Sequence, residues 1–222
     1  MRVREIPGPA GTLEALLEEP SDERGVNRDG LVEHGQADGL RAAVVLAHPH
    51  PQYGGTMHTK ALFHAAKAFT RIGCAVLRFN FRGTGRSTGT WDEGRGEMDD
   101  FGAALSFMTD RFPDAPLWAG GMSFGAWIGM TAGAASHGVS TLVGIAPPVT
   151  RFDFEAVRVS DKPKFFIQGE RDELCPLKDL QAFYARASDP KELIVIDAAD
   201  HLFDGKVSEV ADAVEDLFGD WK

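Results

Sequence analysis

Three short segments of the sequence carry side chains that could act together as nucleophile, base and acid. GMSFG, residues 121–125, matches the pattern G-x-S-x-G, in which small neighbours allow a serine to sit on a tight turn between a strand and a helix. The hydroxyl of Ser123 becomes an effective nucleophile when a nearby base removes its proton. A histidine would be that base, and a carboxylate would hold the histidine in the required tautomer. The structural alternative is that Ser123 only caps the following helix.

Candidates for the base and the acid follow later in the chain. IVIDAADHLF places His201 just past an apolar run, and FFIQGERDELCP places Glu170 and Asp172 just past another. If these runs are parallel strands, their carboxyl ends meet at one edge of a sheet, where Ser123 also lies. We therefore expect the three groups to converge. On this ground alone both carboxylates remain candidates, and His201 could be an ordinary surface histidine before a helix.

The segment LAHPHPQYGG, residues 46–55, is the candidate source of a backbone donor. An oxyanion that forms during acyl transfer needs two N–H groups, one of which is the amide of Phe124 at the start of a helix. The second normally comes from the loop that 46–55 occupies. Its prolines have no N–H, so the amides of His50, Gln52 and Tyr53 remain. We assign this role to His50.

The histidines of this segment could instead bind a metal, but the sequence offers no third ligand beside His48 and His50. His58 and His64 belong to the next predicted helix, where a spacing of six residues turns the chain by roughly 600° and points them to different sides. We therefore predict no metal site. We expect His48 to order the loop through a side-chain hydrogen bond.

Apolar runs and helical spacings alternate along the chain. Strands are predicted at 12–18, 42–47, 74–81, 117–120, 141–145, 164–168 and 193–196, and helices at 56–72, 98–112, 124–135, 177–187 and 207–218. The first strand, TLEALLE, would also pass as a helix, and the polar, glycine-rich residues 21–40 indicate a long hairpin loop. Alternating strands and helices predict one α/β domain over residues 1–222, doubly wound around a mostly parallel sheet.

The composition is typical of a soluble globular protein. Hydrophobic residues make up 43% of the 222, and a net charge of −10 disfavours binding to nucleic acid or to an anionic membrane surface. No run of 18 apolar residues and no signal peptide is evident. The two cysteines, Cys74 and Cys175, form no CxxC pair, which favours a cytoplasmic location. A homo-oligomer is compatible with the sequence.

Taken together, the motifs resemble those of the α/β-hydrolase superfamily over about residues 41–222. HPHPQYGG, FNFRGTGRSTG, GMSFG, and GERDELCP with ADHLF carry the resemblance. More narrowly, the chain is similar to small bacterial hydrolases of the dienelactone-hydrolase-like and serine-aminopeptidase-like groups. The resemblance implies an eight-stranded sheet and a triad of Ser123, His201 and Asp172, and it favours Asp172 over Glu170. It also implies esterase-type chemistry without a cofactor.

The sequence departs from these relatives at three places. Dienelactone hydrolases carry a cysteine where Ser123 stands, which argues against their substrate. Asn80 stands where many relatives have aspartate, and we interpret the FRGTGRS loop as structural. Only residues 146–163 fill the gap in which larger members carry a helical lid, so we expect an open site with little or no lid.

These features predict a carboxylesterase that cleaves small or short-chain acyl esters through an acyl-enzyme. The same triad could cleave a peptide or a thioester or transfer the acyl group to an alcohol, and a non-catalytic binding module is the remaining alternative. Tyr53, Trp127 and Phe203 are the predicted substrate-binding residues, although aromatic side chains are more often part of a core. A small-molecule ester is the expected partner.

Overall fold

Residues 4–20 and 40–221 are described by a computed structural model of the chain. The loop predicted for residues 21–40 therefore lies outside the described residues, apart from its last residue. Within the described ranges the chain forms an eight-stranded sheet with helices against both of its faces. This is the fold that the alternation of apolar runs predicts.

The sheet consists of β1 Glu5–Gly8, β2 Gly11–Glu18, β3 Ala43–Ala47, β4 Ala75–Phe79, β5 Leu117–Met122, β6 Val139–Ile145, β7 Lys164–Gly169 and β8 Lys191–Ile196. Their order across the sheet is β1-β2-β4-β3-β5-β6-β7-β8. β1 and β2 pair antiparallel to each other, and β2 is antiparallel to β4. All pairs from β4 to β8 are parallel, which confirms the predicted mostly parallel sheet.

The helices are α1 Lys60–Arg71, α2 Arg95–Arg111, α3 Phe124–Ala135, α4 Glu155–Val159, α5 Leu177–Tyr184 and α6 Val207–Phe218, and a single 3-10 turn spans Pro51–Tyr53. α1 and α6 contribute to the core on one face of the sheet, whereas α2, α3 and α5 contribute to the core on the other. The central strands are covered on both sides. In β3, Val44 and Leu46 pack on the first face and Val45 packs on the second.

The first helix starts later than predicted, the first element is resolved as the strand that was predicted, and one observed strand was not predicted. The first helix begins at Lys60 instead of residue 56, because Thr56–Thr59 forms a turn in which the amide of Met57 donates to Asn80 Oδ1 at 2.8 Å. TLEALLE is a strand, since Leu13 and Leu17 alternate inward. β1 was missed because its four residues, EIPG, are too few to show a period.

The segment between β6 and β7 decides how open the carboxyl edge of the sheet is. Residues 146–163 contain one helix, α4, of five residues. A cap built from several helices does not fit in this length, so the edge at which the predicted site residues lie has a minimal covering. In the described residues, no helix combines the length and the apolar character needed to cross a membrane.

Candidate active site

Ser123 occupies the turn between β5 and α3. Its backbone has φ 54 and ψ −122, a conformation that residues other than glycine rarely adopt and that the surrounding structure must enforce. Close packing provides the enforcement: a Cβ added to Gly121 or Gly125 would lie 2.4 or 2.3 Å from the carbonyl oxygen of Ala47 in β3. The small residues of G-x-S-x-G are therefore required by the contact with β3, and the turn leaves the serine partly exposed at the edge of the sheet.

His201 and Asp172 reach this serine from the loops after β8 and β7. Nε2 of His201 lies 2.9 Å from Oγ of Ser123, and Nδ1 of His201 lies 2.8 Å from Oδ2 of Asp172. The aspartate side chain is buried and the imidazole is nearly so. A carboxylate beside Nδ1 keeps the proton on that nitrogen, which leaves Nε2 free to accept the serine proton. The structure thus joins the three predicted side chains in one hydrogen-bonded chain.

The carboxylate of Asp172 is held by several donors. Its Oδ1 accepts the amides of Leu174 and Cys175 at 2.9 and 2.7 Å, and its Oδ2 accepts Nε2 of Gln168 at 3.0 Å. Donors of this kind stabilise the charged form of a buried carboxylate and fix its orientation. The role of Gln168 was missed from the sequence, although a polar residue inside the apolar strand KFFIQG is a signal that could have revealed it.

Glu170, the rival carboxylate, has a different place. Its side chain is exposed, and Oε2 accepts the amide of Ala198 at 2.8 Å in the loop that follows β8. Glu170 therefore braces the loop that carries His201 without touching its imidazole. The choice of Asp172, for which the sequence relied on resemblance, agrees with the observed contacts.

The backbone amides of Phe124 and His50 have no acceptor within the described residues and are the relevant ones near Ser123. Phe124 is the first residue of α3, where no helical acceptor exists. The competing amides of Gln52 and Tyr53 are engaged, since they donate to Nδ1 and to the carbonyl oxygen of His50 at 3.3 and 3.1 Å. Because its amide is free within the described part of the chain, His50 is favoured over Gln52 and Tyr53 as the second donor to an oxyanion.

His48 is fully buried beside this loop. Nε2 accepts the amide of Phe81 at 3.1 Å, so the ring proton is on Nδ1, which donates to the carbonyl oxygen of Pro49 at 2.6 Å. Burial is the main cause that lowers the pKa of His48 to about 4. The imidazole is therefore neutral near pH 7 and connects the loop after β3 to the end of β4, as expected of an ordering side chain.

A group of aromatic rings surrounds the residue that follows the serine. We call it the aromatic wall; it consists of Phe124, which is buried, and of His50, Trp91, Trp127 and Phe152, which are partly exposed. The centroids of the latter four rings lie 5.0, 5.2, 5.5 and 5.8 Å from that of Phe124. The predicted pocket residue Trp127 belongs to the wall. Phe152 was missed, although its position in the shortened lid segment points to the site.

The other two predicted pocket residues lie elsewhere. Tyr53 packs against the ring of His50 at 4.7 Å and is 87% exposed, so it stands at the rim of the wall. Phe203 is fully buried in the core on the α1 and α6 face of the sheet, together with Ile196 and Val210. The expectation that Phe203 lines the pocket is wrong, because the chain turns inward just after His201 and uses this ring for packing.

One group of side chains in the described residues could in principle hold a cation. Donor atoms of Asp172, Cys175 and His201 lie within 4.8 Å of one another. Burial, with a smaller contribution from Asp172, raises the pKa of the Cys175 thiol to about 12, so the thiolate that a metal would need is scarce. The carboxylate and the imidazole are also joined by their own hydrogen bond. The donor set suits a catalytic triad better than a metal centre.

Comparison with known proteins places the chain in a family. Residues 38–159 match the family model described as serine aminopeptidase, S33. The uncharacterized protein RP471 of Rickettsia prowazekii is 35% identical over 200 residues, which cover 85% of this chain and 84% of that protein.

Solved structures agree with this assignment. An alpha-beta serine hydrolase homologue from Coxiella burnetii has a TM-score of 0.85 and 31% identity, over 98% of this chain and 97% of that one. XC6422 of Xanthomonas campestris, described as a serine hydrolase without a lid, has a TM-score of 0.84 and 29% identity, over 97% of this chain and 92% of that one. The matched residues, the relative with 35% identity and the fold together show that the chain belongs to the α/β-hydrolase superfamily, in the family described as serine aminopeptidase, S33.

Proposed function

We propose that this α/β hydrolase is a carboxylesterase that uses Ser123, His201 and Asp172 as its catalytic triad. The observation that carries the proposal is the continuous hydrogen-bonded path from Ser123 Oγ to His201 Nε2, at 2.9 Å, and from His201 Nδ1 to Asp172, at 2.8 Å. A second support is the strained serine turn, which costs folding free energy and is typical of functional sites.

The mechanism follows from this path. Ser123 Oγ attacks the ester carbonyl carbon while His201 Nε2 takes the hydroxyl proton, and the resulting imidazolium is stabilised by Asp172. When the tetrahedral intermediate collapses, the bond to the alcohol oxygen breaks and Nε2 gives its proton to that oxygen. A water molecule, deprotonated by the same nitrogen, then attacks the acyl-enzyme, and the carboxylic acid leaves as Oγ recovers the proton.

The oxyanion of each tetrahedral intermediate is assigned to the amides of Phe124 and His50. The loop that carries His50 packs directly on the first turn of α3, since a Cβ on Gly125 would lie 2.5 Å from the carbonyl oxygen of His48. Two donors held in this way by packing require no rearrangement as charge develops on the carbonyl oxygen. No cofactor takes part in this chemistry.

An ester is favoured over a peptide by the surroundings of the serine. The partly exposed rings of the aromatic wall surround Phe124, the residue after the serine, and the short segment between β6 and β7 adds one five-residue helix above the edge of the sheet. The family description keeps peptide hydrolysis as the second candidate.

A panel of chromogenic substrates tests the proposal. We expect hydrolysis of p-nitrophenyl esters between acetyl and dodecanoyl, with the shorter acyl groups preferred, and no release of p-nitroaniline from amino-acid p-nitroanilides. Ser123→Ala should lower kcat/KM for the esters by at least about 10³-fold. Ser106→Ala is the matched control, because this exposed serine of α2 donates only to the carbonyl oxygen of Gly102.

Two results would contradict the proposal. Ester hydrolysis that survives in Ser123→Ala would remove the serine from the mechanism. Cleavage of p-nitroanilides in preference to esters would move the assignment to the peptidase candidate.

We further propose that the enzyme acts as a cytoplasmic protein on a small-molecule ester, a location supported by two buried cysteines that remain free thiols.

A further inference from the structure

We infer that the aromatic wall is the acyl subsite and that it selects esters of planar aromatic carboxylic acids; this inference rests on the proposed esterase function. It concerns which half of the ester binds where, and what chemistry that half has. The triad alone says nothing about either question.

The position of the imidazole decides which half of the ester meets the wall. His201 Nε2 must hand its proton to the alcohol oxygen, so the alcohol half of the substrate points toward the loops after β7 and β8. Trp91 and His50 follow β4 and β3, which lie on the other side of β5 from β7 and β8. The acyl half, on the side of the carbonyl carbon away from the alcohol, therefore extends toward the part of the wall formed by Trp91 and His50. Phe152 follows β6, on the other side of β5, and joins the wall by stacking on Trp127 of α3.

Two of the partly exposed rings of the wall are held in place by polar contacts. The turn that carries Trp91 is fixed because the buried carboxylate of Glu97 accepts the amides of Asp92 and Gly94 at 3.1 and 2.8 Å. Nε1 of Trp127 donates to the carbonyl oxygen of Asp153 at 2.9 Å, which anchors one ring to the segment that carries the next. Aromatic surface that is both exposed and fixed binds a ligand at low entropic cost.

Ring geometry suits a flat aromatic group. Trp127 and Phe152 stack with centroids 4.3 Å apart and an interplanar angle of 12°, whereas Phe124 meets both rings at steep angles of 66° and 73°. The wall therefore contains both a stacked pair and edge-to-face pairs, the two arrangements that aromatic rings prefer, and an added aromatic ring gains from a contact of either kind. Partial burial lowers the pKa of His50, which favours the neutral form of this ring of the wall.

Two esters with one leaving group measure this selectivity. p-Nitrophenyl benzoate and p-nitrophenyl cyclohexanecarboxylate have acyl groups with the same number of carbons, but only the first is flat and aromatic. Each kcat/KM is divided by the rate constant of hydroxide-catalysed hydrolysis, which removes intrinsic reactivity. We expect the wild-type enzyme to prefer the benzoate by roughly tenfold, the size of effect that a few aromatic contacts supply.

Variants locate the preference in the wall. Phe152→Leu and Trp91→Leu should each lower the benzoate-to-cyclohexanecarboxylate ratio at least about threefold. They remove rings from different segments, so a folding defect in one leaves the other as a test. Phe63→Leu is the control, because this partly exposed ring lies on α1, against Arg78 and Lys67, and the ratio should stay at the wild-type value.

The outcomes separate this inference from the function on which it rests. A wild-type ratio near one, or a ratio unchanged in both wall variants, overturns the acyl subsite, whereas loss of all ester hydrolysis in Ser123→Ala still supports the esterase. If the wild-type enzyme hydrolyses no ester, both the esterase and the subsite are wrong.

Discussion

At the residue scale, the peptide bond between Pro49 and His50 links a buried imidazole to the proposed oxyanion site. His48 Nδ1 holds the carbonyl oxygen of Pro49. In a trans peptide plane the C=O and the following N–H point in opposite directions, so fixing one fixes the other. We therefore propose that His48 is a positioning residue, which aims the amide of His50 without touching the substrate.

Replacing His48 tests this positioning role. His48→Leu should lower kcat by about 10- to 100-fold with little change in KM, because a misaligned oxyanion donor weakens binding of the transition state more than binding of the substrate. His48→Gln, whose amide can both donate and accept, should recover part of the lost kcat. Steady-state kinetics on a p-nitrophenyl ester give both constants.

A merely structural role for His48 would give another pattern. Thermal unfolding would then report a large loss of stability in both variants. KM would change as well as kcat, and the glutamine variant would be no more active than the leucine variant. The other partner of this imidazole is the backbone amide of Phe81, which a side-chain substitution at Phe81 does not remove. The comparison of leucine with glutamine at position 48 is therefore the decisive one.

At the element scale, α3 packs against β5 at positions occupied by glycines, and this contact sets the position of the serine turn. A Cβ added to Gly129 would lie 2.4 Å from the carbonyl oxygen of Gly120, a distance that only a shift of the helix could relieve. The backbones of helix and strand thus approach as closely as the absence of side chains allows. The turn at Ser123 joins these two backbones, so its geometry depends on the same contact.

Gly129→Ala should therefore destabilise the protein by about 1–3 kcal/mol, the usual result of overpacking, and should also reduce esterase activity. Gly102→Ala is its matched control on α2, where an added Cβ meets nothing within 4 Å. There alanine should stabilise by about 0.5–1 kcal/mol through its better helix propensity. Urea unfolding of the two variants beside the wild type checks both signs, and a stable Gly129→Ala would contradict the close-packing explanation.

Helices and strands with a clear hydrophobic periodicity were predictable from the sequence. The burial and contacts of single side chains were less predictable. α3 and α6 begin and end at the residues that the sequence indicated, because apolar spacing and the flanking turns mark both ends. The start of α1 was missed because the contact of Met57 with Asn80 joins residues far apart in sequence. Phe203 was expected at the pocket and lies in the core, and Phe152 was missed, for the same reason: burial depends on tertiary neighbours, which a local pattern does not contain.

At the scale of the whole molecule, the buried His48 couples the stability of the fold to pH. Its folded-state pKa of about 4 lies below the ordinary value of 6.5 that it regains on unfolding. As the pH falls, the unfolded chain therefore binds a proton before the folded chain does. The stabilisation is complete above pH 6.5 and is lost as the pH drops through the interval down to about 4.

Urea unfolding at several pH values measures this coupling. The free energy of unfolding should fall by roughly 3 kcal/mol between pH 6.5 and pH 4 because of this one group. His48→Gln should show a smaller decrease over the same interval. Glu18, whose pKa is lowered, acts in the same direction but below its ordinary value of 4.5, so its contribution is separable at lower pH. Parallel pH profiles for wild type and variant would contradict the role of His48.

The order in which the strands enter the sheet also has a consequence for the time at which activity can arise. Ser123 follows β5, while His201 follows β8, the edge strand, 78 residues later in the chain. A ribosome that adds about 5–20 residues per second needs roughly 4–16 s to make this interval. Throughout that time the nascent chain carries a serine but no base to activate it. Under the proposed mechanism, hydrolysis begins only after His201 has been synthesised, so we expect the incomplete chain neither to consume substrate nor to become trapped as an acyl-enzyme.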